Sequence, residues 1–373
     1  MTESRLQNHI RRQRESAGLS QQVLAERVGV SRQAIAAIES GKQVPSTVLG
    51  LRLAGALGSR VDDLFQLSPA DGLSARVVPR GAEAPASGSG SRVALGEVGG
   101  HWVAHRMPSD ATLAAHGVLV SAASEQSALV RPLVDVTLLR RNVLLAGCAP
   151  LLGALAQHVA NNPGDARATW LAAGSTRALE LLRDGLVHIA GVHVGAVPGQ
   201  EDNTSLVRRI LPNTKMLLVD FTRWRLGLVL PAGNPQGIHS GADLFRPGLR
   251  LARREPGTGA DKLVRSLAAA EGIDRPAFSG PLANGHMEVA QLVRCGAADV
   301  GIAIEGVALA DGLGFVPLVE ERFDLVVPAD LAAARPVSSL IEALGDPGFR
   351  ADAHELPGYD TEACGHVTTL EAA

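Results

Sequence analysis

Cysteine is scarce in this sequence, and its spacing excludes two kinds of protein. The only cysteines among 373 residues are Cys148, Cys295 and Cys364. They lie far apart and form no CxxC pair, so neither a disulfide framework nor a thiolate zinc site is predicted. We expect free, reduced thiols, and the sequence predicts no metal site and no cofactor.

Long apolar runs are also missing. The longest, residues 143–156, contains Gly147 and Pro150 and falls short of the roughly 18 apolar residues that span a membrane. The charged N-terminus has no apolar core followed by a small-residue cleavage site, so no export signal is predicted. A cytoplasmic location is therefore expected.

The composition is not that of a low-complexity chain, because Gly (41) and Pro (21) are few while 46% of residues are apolar. This length and apolar content predict two or three folded domains. Residues 1–67 contain 9 Arg/Lys and 6 Asp/Glu of the chain's 35 and 38, which leaves 26 and 32 elsewhere. The net charges of +3 and −6 indicate, weakly, an anionic partner for the first segment.

Residues 4–67 show the pattern of consecutive short helices. Leu6 and Ile10 share one face of a predicted first helix, which ends at Gly18. Pro45 and Ser46 open a predicted fourth helix, and four of its apolar residues are expected to complete the core: Val48, Leu51, Leu53 and Leu57. The segment as a whole is predicted to be an all-α head.

Two of these helices are separated by a tight glycine turn. Ser20 is the expected N-cap of QQVLAERV, Gly29 ends that helix, and Ser31 caps the next one. Helix, tight turn and helix is a DNA-reading arrangement. The stretch LSQQVLAERVGVSRQAIAAIESGKQVPS resembles the helix-turn-helix of the lambdoid-repressor or XRE family.

This resemblance implies a set of DNA contacts, carried over by position. Gln21 would contact a phosphate. Arg32 and Gln33, which follow the cap Ser31, would contact bases, and Ser40 and Lys42 would contact the DNA backbone. Arg suits guanine and Gln suits adenine in the major groove of duplex DNA. A homodimer on a palindromic operator is expected, since one short reading helix supplies little affinity. The alternative is a solvated helical hairpin that contacts protein.

Residues 68–91 are poor in large apolar residues and rich in Gly, Ala, Pro and Ser, which predicts a flexible linker. Residues 92–140 contain short alternating or apolar pieces and predict a small β-rich segment. His101 and His105 are four apart, but the surrounding glycines and valines favour a strand. They are therefore not predicted to be a metal pair.

From residue 141 onward, strand, loop and helix alternate. NVLLAG runs into CAPLLGALAQHVA, and ATWLAAG runs into STRALELLRDGL, which is typical of a parallel, doubly wound sheet. MLLVDFTRWRLGLVLPAGNP reads as two extended stretches that cross back, and FVPLVEERFDLVVP as the last return strand. Two α/β lobes joined by crossing strands, with a cleft between them, are predicted for residues 141–373.

Small and polar residues occupy the strand-to-helix junctions of this region, at residues 148–150, 174–176, 257–260 and 284–286. Helix N-termini present free backbone N–H groups and the positive end of the helix dipole. In open α/β sheets the ligand lies outside the carboxyl ends of the strands. The four junctions therefore predict a site for a small anion or carboxylate.

Residues 141–367 resemble the type II periplasmic-binding-protein fold, in the cytoplasmic family related to molybdate-binding proteins. Matching elements include AGCAPLLGALAQHV, RWRLGLVLPAGNPQGI and EPGTGADKLV. The resemblance implies a molybdate-like oxyanion or small carboxylate as ligand. It implies that the cleft is formed by Cys148, Ser175, Thr176, His193, Thr258, Gly259, Asn284, His286 and Glu305.

Several of these residues have simpler structural interpretations, which stay open. Ser175 and Thr176 are good helix caps, and His193 fits a satisfied core histidine. Cys148 is either a packing cysteine or a redox sensor at a helix N-terminus. Glu305 would repel an anion unless it is paired or turned away.

No local motif supplies a nucleophile with a base, a paired acid set or a metal cluster, so an enzyme is not predicted. The predicted architecture is multidomain: an all-α helix-turn-helix head, a small β segment and a two-lobed α/β domain. It indicates a one-component transcription regulator that binds operator DNA and a small anion. The alternative is a molybdate-handling or molybdenum-cofactor biosynthesis accessory protein, and a partner-binding antitoxin-like protein would fit the head alone.

Overall fold

The computed structural model describes residues 5–68, 72–79, 90–107, 114–122, 127–162, 164, 166–194, 202–274 and 276–372. The chain forms two compact units. The first contains Met1–Ala94 and Ala104–Thr137, and the second contains Leu95–Val103 and Leu138–Ala373.

The first unit begins with a helical region closed by a short two-stranded sheet. Its elements are β1 (Arg5–Asn8), α1 (Ile10–Ser16), α2 (Gln21–Val28), α3 (Arg32–Glu39), α4 (Thr47–Leu57), α5 (Val61–Leu64) and β2 (Phe65–Ser68). Serine hydroxyls accept hydrogen bonds from first-turn N–H groups at the starts of α2, α3 and α4, as their N-cap positions predict. Gly29, with φ of 70°, makes the left-handed turn between α2 and α3.

Two expectations for this region are wrong. Residues 5–8 form a strand that pairs with β2, so Leu6 precedes the first helix. Val48 and Leu51 are 61% and 59% exposed, whereas Leu53 on the same helix is buried as expected. The apolar residues of α4 cover more than one face, and the core needs only one of them.

A small closed β-barrel follows. Its strands are β3 (Leu73–Val78), β4 (Arg92–Val98), β5 (His101–Arg106), β6 (Gly117–Ala122) and β7 (Ser127–Pro132), in the order β3-β5-β4-β6-β7. The linker predicted for residues 68–91 is corrected here, because residues 73–78 form a strand whose first four residues pair with β7. Residues 80–89 of that linker lie outside the described part of the chain. His101 and His105 lie on a strand, as expected.

The second unit is an α/β domain. Its elements in chain order are α6 (Val136–Arg140), β8 (Asn142–Gly147), α7 (Leu151–Asn161), β9 (Arg167–Ala172), α8 (Ser175–Arg183), β10 (Ile189–Val192), α9 (Asn203–Ile210), β11 (Met216–Leu230), a 3-10 helix (Gly241–Phe245), β12 (Leu251–Arg254), α10 (Gly259–Ala270), β13 (Leu282–Ala283), α11 (His286–Arg294), β14 (Val300–Ile304), α12 (Glu305–Ala310), β15 (Gly314–Pro328), α13 (Ala329–Ala332), α14 (Arg335–Ala343), α15 (Pro347–Glu355), β16 (Tyr359–Asp360) and β17 (Val367–Leu370).

These strands form a mixed sheet in the order β13-β12-β14-β11-β15-β10-β8-β9. The pairs of β8 with β9 and β10, and of β12 with β13 and β14, are parallel. Every residue of β8 and of β14 is buried, which is typical of strands covered on both faces. The expected helix–strand alternation is present, but the sheet is not purely parallel.

Two long antiparallel strands connect the halves of this sheet. We call β8–β10 with their helices lobe A, and β12–β14 with theirs lobe B. β11 and β15 pair along their whole length. β11 is a single strand rather than the two extended stretches expected, and β15 is the expected return strand. The C-terminal part of β15 pairs with β10 in lobe A, and the C-terminal part of β11 pairs with β14 in lobe B. Residues 220–225 and 320–324, here called the hinge segments, therefore pass from one lobe to the other.

Candidate functional site

The start of α3 is an exposed polar surface. Ser31 caps the helix by accepting a hydrogen bond from the N–H of Ala34 at 3.1 Å. Arg32 and Gln33, the first two helical residues, are exposed. In a helix-turn-helix these positions face base edges in the major groove. Ser40 and Lys42 are exposed beyond the other end of the helix.

A buried ion pair holds the helices of this surface together. Arg14 on α1 donates from Nε and Nη2 to the two carboxylate oxygens of Glu39 on α3, at 2.6 and 3.2 Å. Gln21 on α2 donates to the same carboxylate at 2.8 Å. One amide proton of Gln21 is thus engaged, and the second is available for the predicted phosphate contact.

Lobes A and B contact each other at the predicted strand-to-helix junctions. A Cβ placed on Gly174, in lobe A, would lie 3.8 Å from Cγ2 of Thr258 in lobe B. A Cβ on Gly259 would lie 3.3 Å from Cε1 of His193. The predicted junctions of lobe A therefore lie against those of lobe B, and the cleft between the two lobes is closed.

Three of the predicted ligand-binding residues form a tight cluster at this contact. Cys148 follows β8 and His193 follows β10, while His286 is the first residue of α11. Their nitrogen and sulfur ligand atoms all lie within 4.8 Å of one another. His193 and His286 are buried, at 6% and 2% exposure, and Cys148 is partly buried. We call these three residues the Cys-His-His cluster.

The hinge segments supply a second layer behind the cluster. Glu321 accepts hydrogen bonds at Oε2 from Nδ1 of His193 at 2.7 Å and from Nε1 of Trp224 at 2.9 Å. Trp224 and Glu321 face each other on β11 and β15. The side chain of Glu321 is fully buried. A carboxylate therefore fixes the orientation of the His193 ring.

The pKa values of the two histidines are shifted in opposite directions. Burial alone would lower the pKa of His193, but the neighbouring Cys148 and Glu321 charges and hydrogen bonds raise it well above its ordinary value. Burial, together with the charges of Arg254 and His193, lowers the pKa of His286 well below its ordinary value. The surroundings thus favour the protonated form of His193 and the neutral form of His286.

The other predicted ligand residues surround the cluster or are occupied locally. The hydroxyl of Ser175 bonds both the N–H and the carbonyl of His193, and that of Thr258 caps α10. Thr176 and Asn284 are exposed. Glu305 accepts a bidentate pair from Arg225, so its charge is compensated.

Sequence reasoning missed Trp224, Glu321 and Arg254. Glu321 is separated from His193 by 128 residues along the chain, and no local pattern connects them. Arg254, at the end of β12, places Nη1 3.5 Å from Nδ1 of His286 and pairs with Glu255. The only available signal was that each residue lies in or at the end of an apolar strand.

Fold and site define a helix-turn-helix protein with a two-lobed α/β domain whose polar cluster lies between the lobes. The PBP superfamily domain family matches residues 156–345, half of the chain, and the helix-turn-helix family matches residues 10–64. The chain belongs to the PBP-like family and has a helix-turn-helix head. The predicted resemblance and fold class are confirmed.

Relatives match the two parts separately. The uncharacterized protein YvgK of Bacillus subtilis is 28% identical over 231 residues, covering 61% of this chain and 74% of YvgK. An uncharacterized HTH-type transcriptional regulator of Methanothermobacter thermautotrophicus is 51% identical over 59 residues, 16% of this chain and 86% of that protein.

Among solved structures, one similar chain is a putative phosphate ABC transporter substrate-binding protein with bound phosphate from Clostridium perfringens. It has a TM-score of 0.44 and 13% identity, and the alignment covers 62% of this chain and all of that one.

Within the described residues of the present chain, no helix is long and apolar enough to cross a membrane.

Proposed function

We propose that this protein is a one-component transcription regulator that binds operator DNA through α2 and α3. In the same proposal, a small anionic ligand binds between lobes A and B and changes the affinity for DNA. The observation that carries the proposal is the combination of an exposed reading helix with a buried polar cluster at a lobe contact. Relatives of the head are HTH-type transcriptional regulators, which supports a regulator rather than an enzyme.

The DNA-binding part of the proposal rests on the start of α3. Arg32 has the bidentate donor geometry that matches guanine O6 and N7, and Gln33 can pair with adenine. Both are exposed on the first turn of a capped helix. The Arg14–Glu39 pair keeps α1 and α3 in fixed relation, which positions these side chains. We propose a homodimer on a palindromic operator, because one such helix makes few base contacts.

The ligand part rests on the charge of the cleft. The first turns of α8, α10 and α11 leave N–H groups without intrahelical partners, and helix N-termini favour anions. Cys148 and Glu321 raise the pKa of His193, which favours its protonated form beside them, and Arg225 compensates Glu305. An oxyanion such as molybdate or a small carboxylate fits this chemistry, with Ser175, Thr258 and Gly259 at the rim.

Selection of operator sequences from random duplex DNA, followed by fluorescence anisotropy, tests the DNA-binding part. Arg32→Ala should lose about 1 to 3 kcal/mol of binding free energy and relax the preference at one base pair. Arg52→Ala removes an equal charge from an exposed position on α4 and is the matched control. Unchanged affinity and base preference in Arg32→Ala would refute the groove assignment.

A further inference from the structure

The Cys-His-His cluster has the donor set of a transition-metal site. One thiolate and two imidazoles are the ligands that zinc and related borderline ions prefer. No sequence spacing indicates this set, because Cys148, His193 and His286 come from three separate strand-to-helix connections. The fold alone brings them together.

The distances suit one ion. Tetrahedral zinc has Zn–S and Zn–N distances of about 2.3 and 2.0 Å, which separates its ligand atoms by about 3.3 to 3.6 Å. The three ligand atoms here lie within 4.8 Å of one another. A contraction of up to about 1.5 Å would therefore give zinc geometry with a fourth position open.

The surroundings of His193 and His286 point to the same conclusion. Metal-bound histidines commonly donate their other ring N–H to a carboxylate, and His193 does so to Glu321 through Nδ1 at 2.7 Å. This leaves Nε2 of His193 for an ion. Nε2 of His286 is buried and has no hydrogen-bond partner among the described residues. An unpartnered buried nitrogen is costly unless a ligand uses it.

The charges also balance. A dication with the Cys148 thiolate and the Glu321 carboxylate gives a net charge of zero in a buried place. Arg254 is 3.5 Å from Nδ1 of His286, too far to fix the tautomer of that ring, and its charge is compensated by Glu255.

We propose that Cys148, His193 and His286 bind a single zinc-class divalent ion that links the two lobes. Two ligands belong to lobe A and one to lobe B, so the bound ion stabilises the closed cleft. The inference rests on the proposed function only in taking the cleft as the ligand site, and it does not require DNA binding. Glu321 is a positioning residue for His193.

The test uses the untagged full-length chain after treatment with a chelator and dialysis. We expect about one Zn²⁺ per chain by elemental analysis, with affinity measured against a chromophoric chelator. Co²⁺ should give a thiolate-to-cobalt charge-transfer absorption and tetrahedral d–d bands. Zn²⁺ should also protect Cys148 from alkylation, as measured by peptide mass spectrometry.

Variants make the test specific. Cys148→Ser should abolish the charge-transfer band, whereas Cys295→Ser, which changes an exposed cysteine at the other end of α11, should retain it. Glu321→Gln should weaken Zn²⁺ binding about 10- to 100-fold while leaving the ligands in place. Circular dichroism of each variant checks folding.

Failure to bind Zn²⁺ stoichiometrically, or equal cobalt spectra in wild type and Cys148→Ser, would overturn the proposal. Rapid alkylation of Cys148 that Zn²⁺ does not slow would show a reactive thiolate–imidazolium pair instead. Operator binding is measured separately. Its loss with intact Zn²⁺ binding would remove the regulator function and leave the metal site standing.

Discussion

The head and the α/β domain each contain a buried carboxylate beside a basic side chain, but the two sites differ in how completely their polar atoms are hydrogen-bonded. In the head, both oxygens of Glu39 accept hydrogen bonds, from Arg14 and Gln21. In the cleft, Oε1 of Glu321 and Nε2 of His286 are buried without a partner among the described residues. We call the head network saturated because both carboxylate oxygens are hydrogen-bonded. A saturated network is typical of structural support, whereas buried polar atoms without partners are typical of a site that receives a ligand.

The largest effect on stability is expected in the saturated network of Arg14, Gln21 and Glu39 in the head. Arg14→Leu leaves the Glu39 carboxylate buried without its cation and should lower the free energy of unfolding by about 3 to 5 kcal/mol. Arg11→Ala breaks an exposed pair with Glu15 and should cost less than about 1 kcal/mol. Urea denaturation followed by circular dichroism measures both. Similar losses in the two variants would contradict the comparison.

The same network should respond to acid. Burial opposes ionisation of Glu39, but hydrogen bonds from Arg14 and Gln21 outweigh it and lower the pKa of that carboxyl. Because the folded pKa is below the unfolded value, the stabilisation is complete above about pH 4.3 and is lost as pH falls through the lowered pKa.

An intermediate effect is expected at His188, a saturated group in the α/β domain. Its Nδ1 accepts from the N–H of Leu144 at 3.0 Å and its Nε2 donates to the carbonyl of Glu97 at 2.9 Å. Burial lowers the pKa of His188 to about 4. Protonation occurs first in the unfolded chain, so stability should fall by about 3 kcal/mol between pH 6.5 and pH 4.

A pH series of urea denaturations checks this expectation, with His188→Gln as the reference. The variant should lose that part of the pH dependence between pH 6.5 and 4, although it is less stable at pH 7. Identical slopes in the variant and the wild type would mean that His188 does not titrate in this range.

The smallest effect on stability is expected in the cleft. His286→Leu replaces an unsatisfied buried ring with an apolar side chain, and it should change the unfolding free energy of the ligand-free chain by less than about 1 kcal/mol. The same substitution should abolish Zn²⁺ binding. A loss comparable to that of Arg14→Leu would show that His286 is a structural residue.

Local patterns predicted the helix-turn-helix well. The caps Ser20, Ser31 and Ser46 act within three residues of their own positions, so the sequence carries the whole signal. β1 was predicted as helix because its partner, β2, lies at the other end of the head. β3 was predicted as linker because it is a short strand whose only support is pairing within a barrel.

The candidate site was predicted in part for the same reason. Helix starts are recognisable locally and led to Cys148 and His286, whereas His193 was implied by the family resemblance. Their joint geometry depends on lobe closure, and Glu321 depends on the register between β11 and β15. Neither the cluster geometry nor the position of Glu321 follows from the spacing of residues along the sequence. These residues were therefore predicted to bind an anion and not a metal.

The central claim is that the cleft and the DNA-binding head are coupled. Calorimetric titration of molybdate into the full-length protein, alone and bound to its selected operator, tests it most directly. Coupling of about 1 to 3 kcal/mol predicts dissociation constants that differ by roughly 5- to 150-fold, and the operator affinity must change by the same factor when molybdate is present. Equal dissociation constants in the two titrations would contradict the claim.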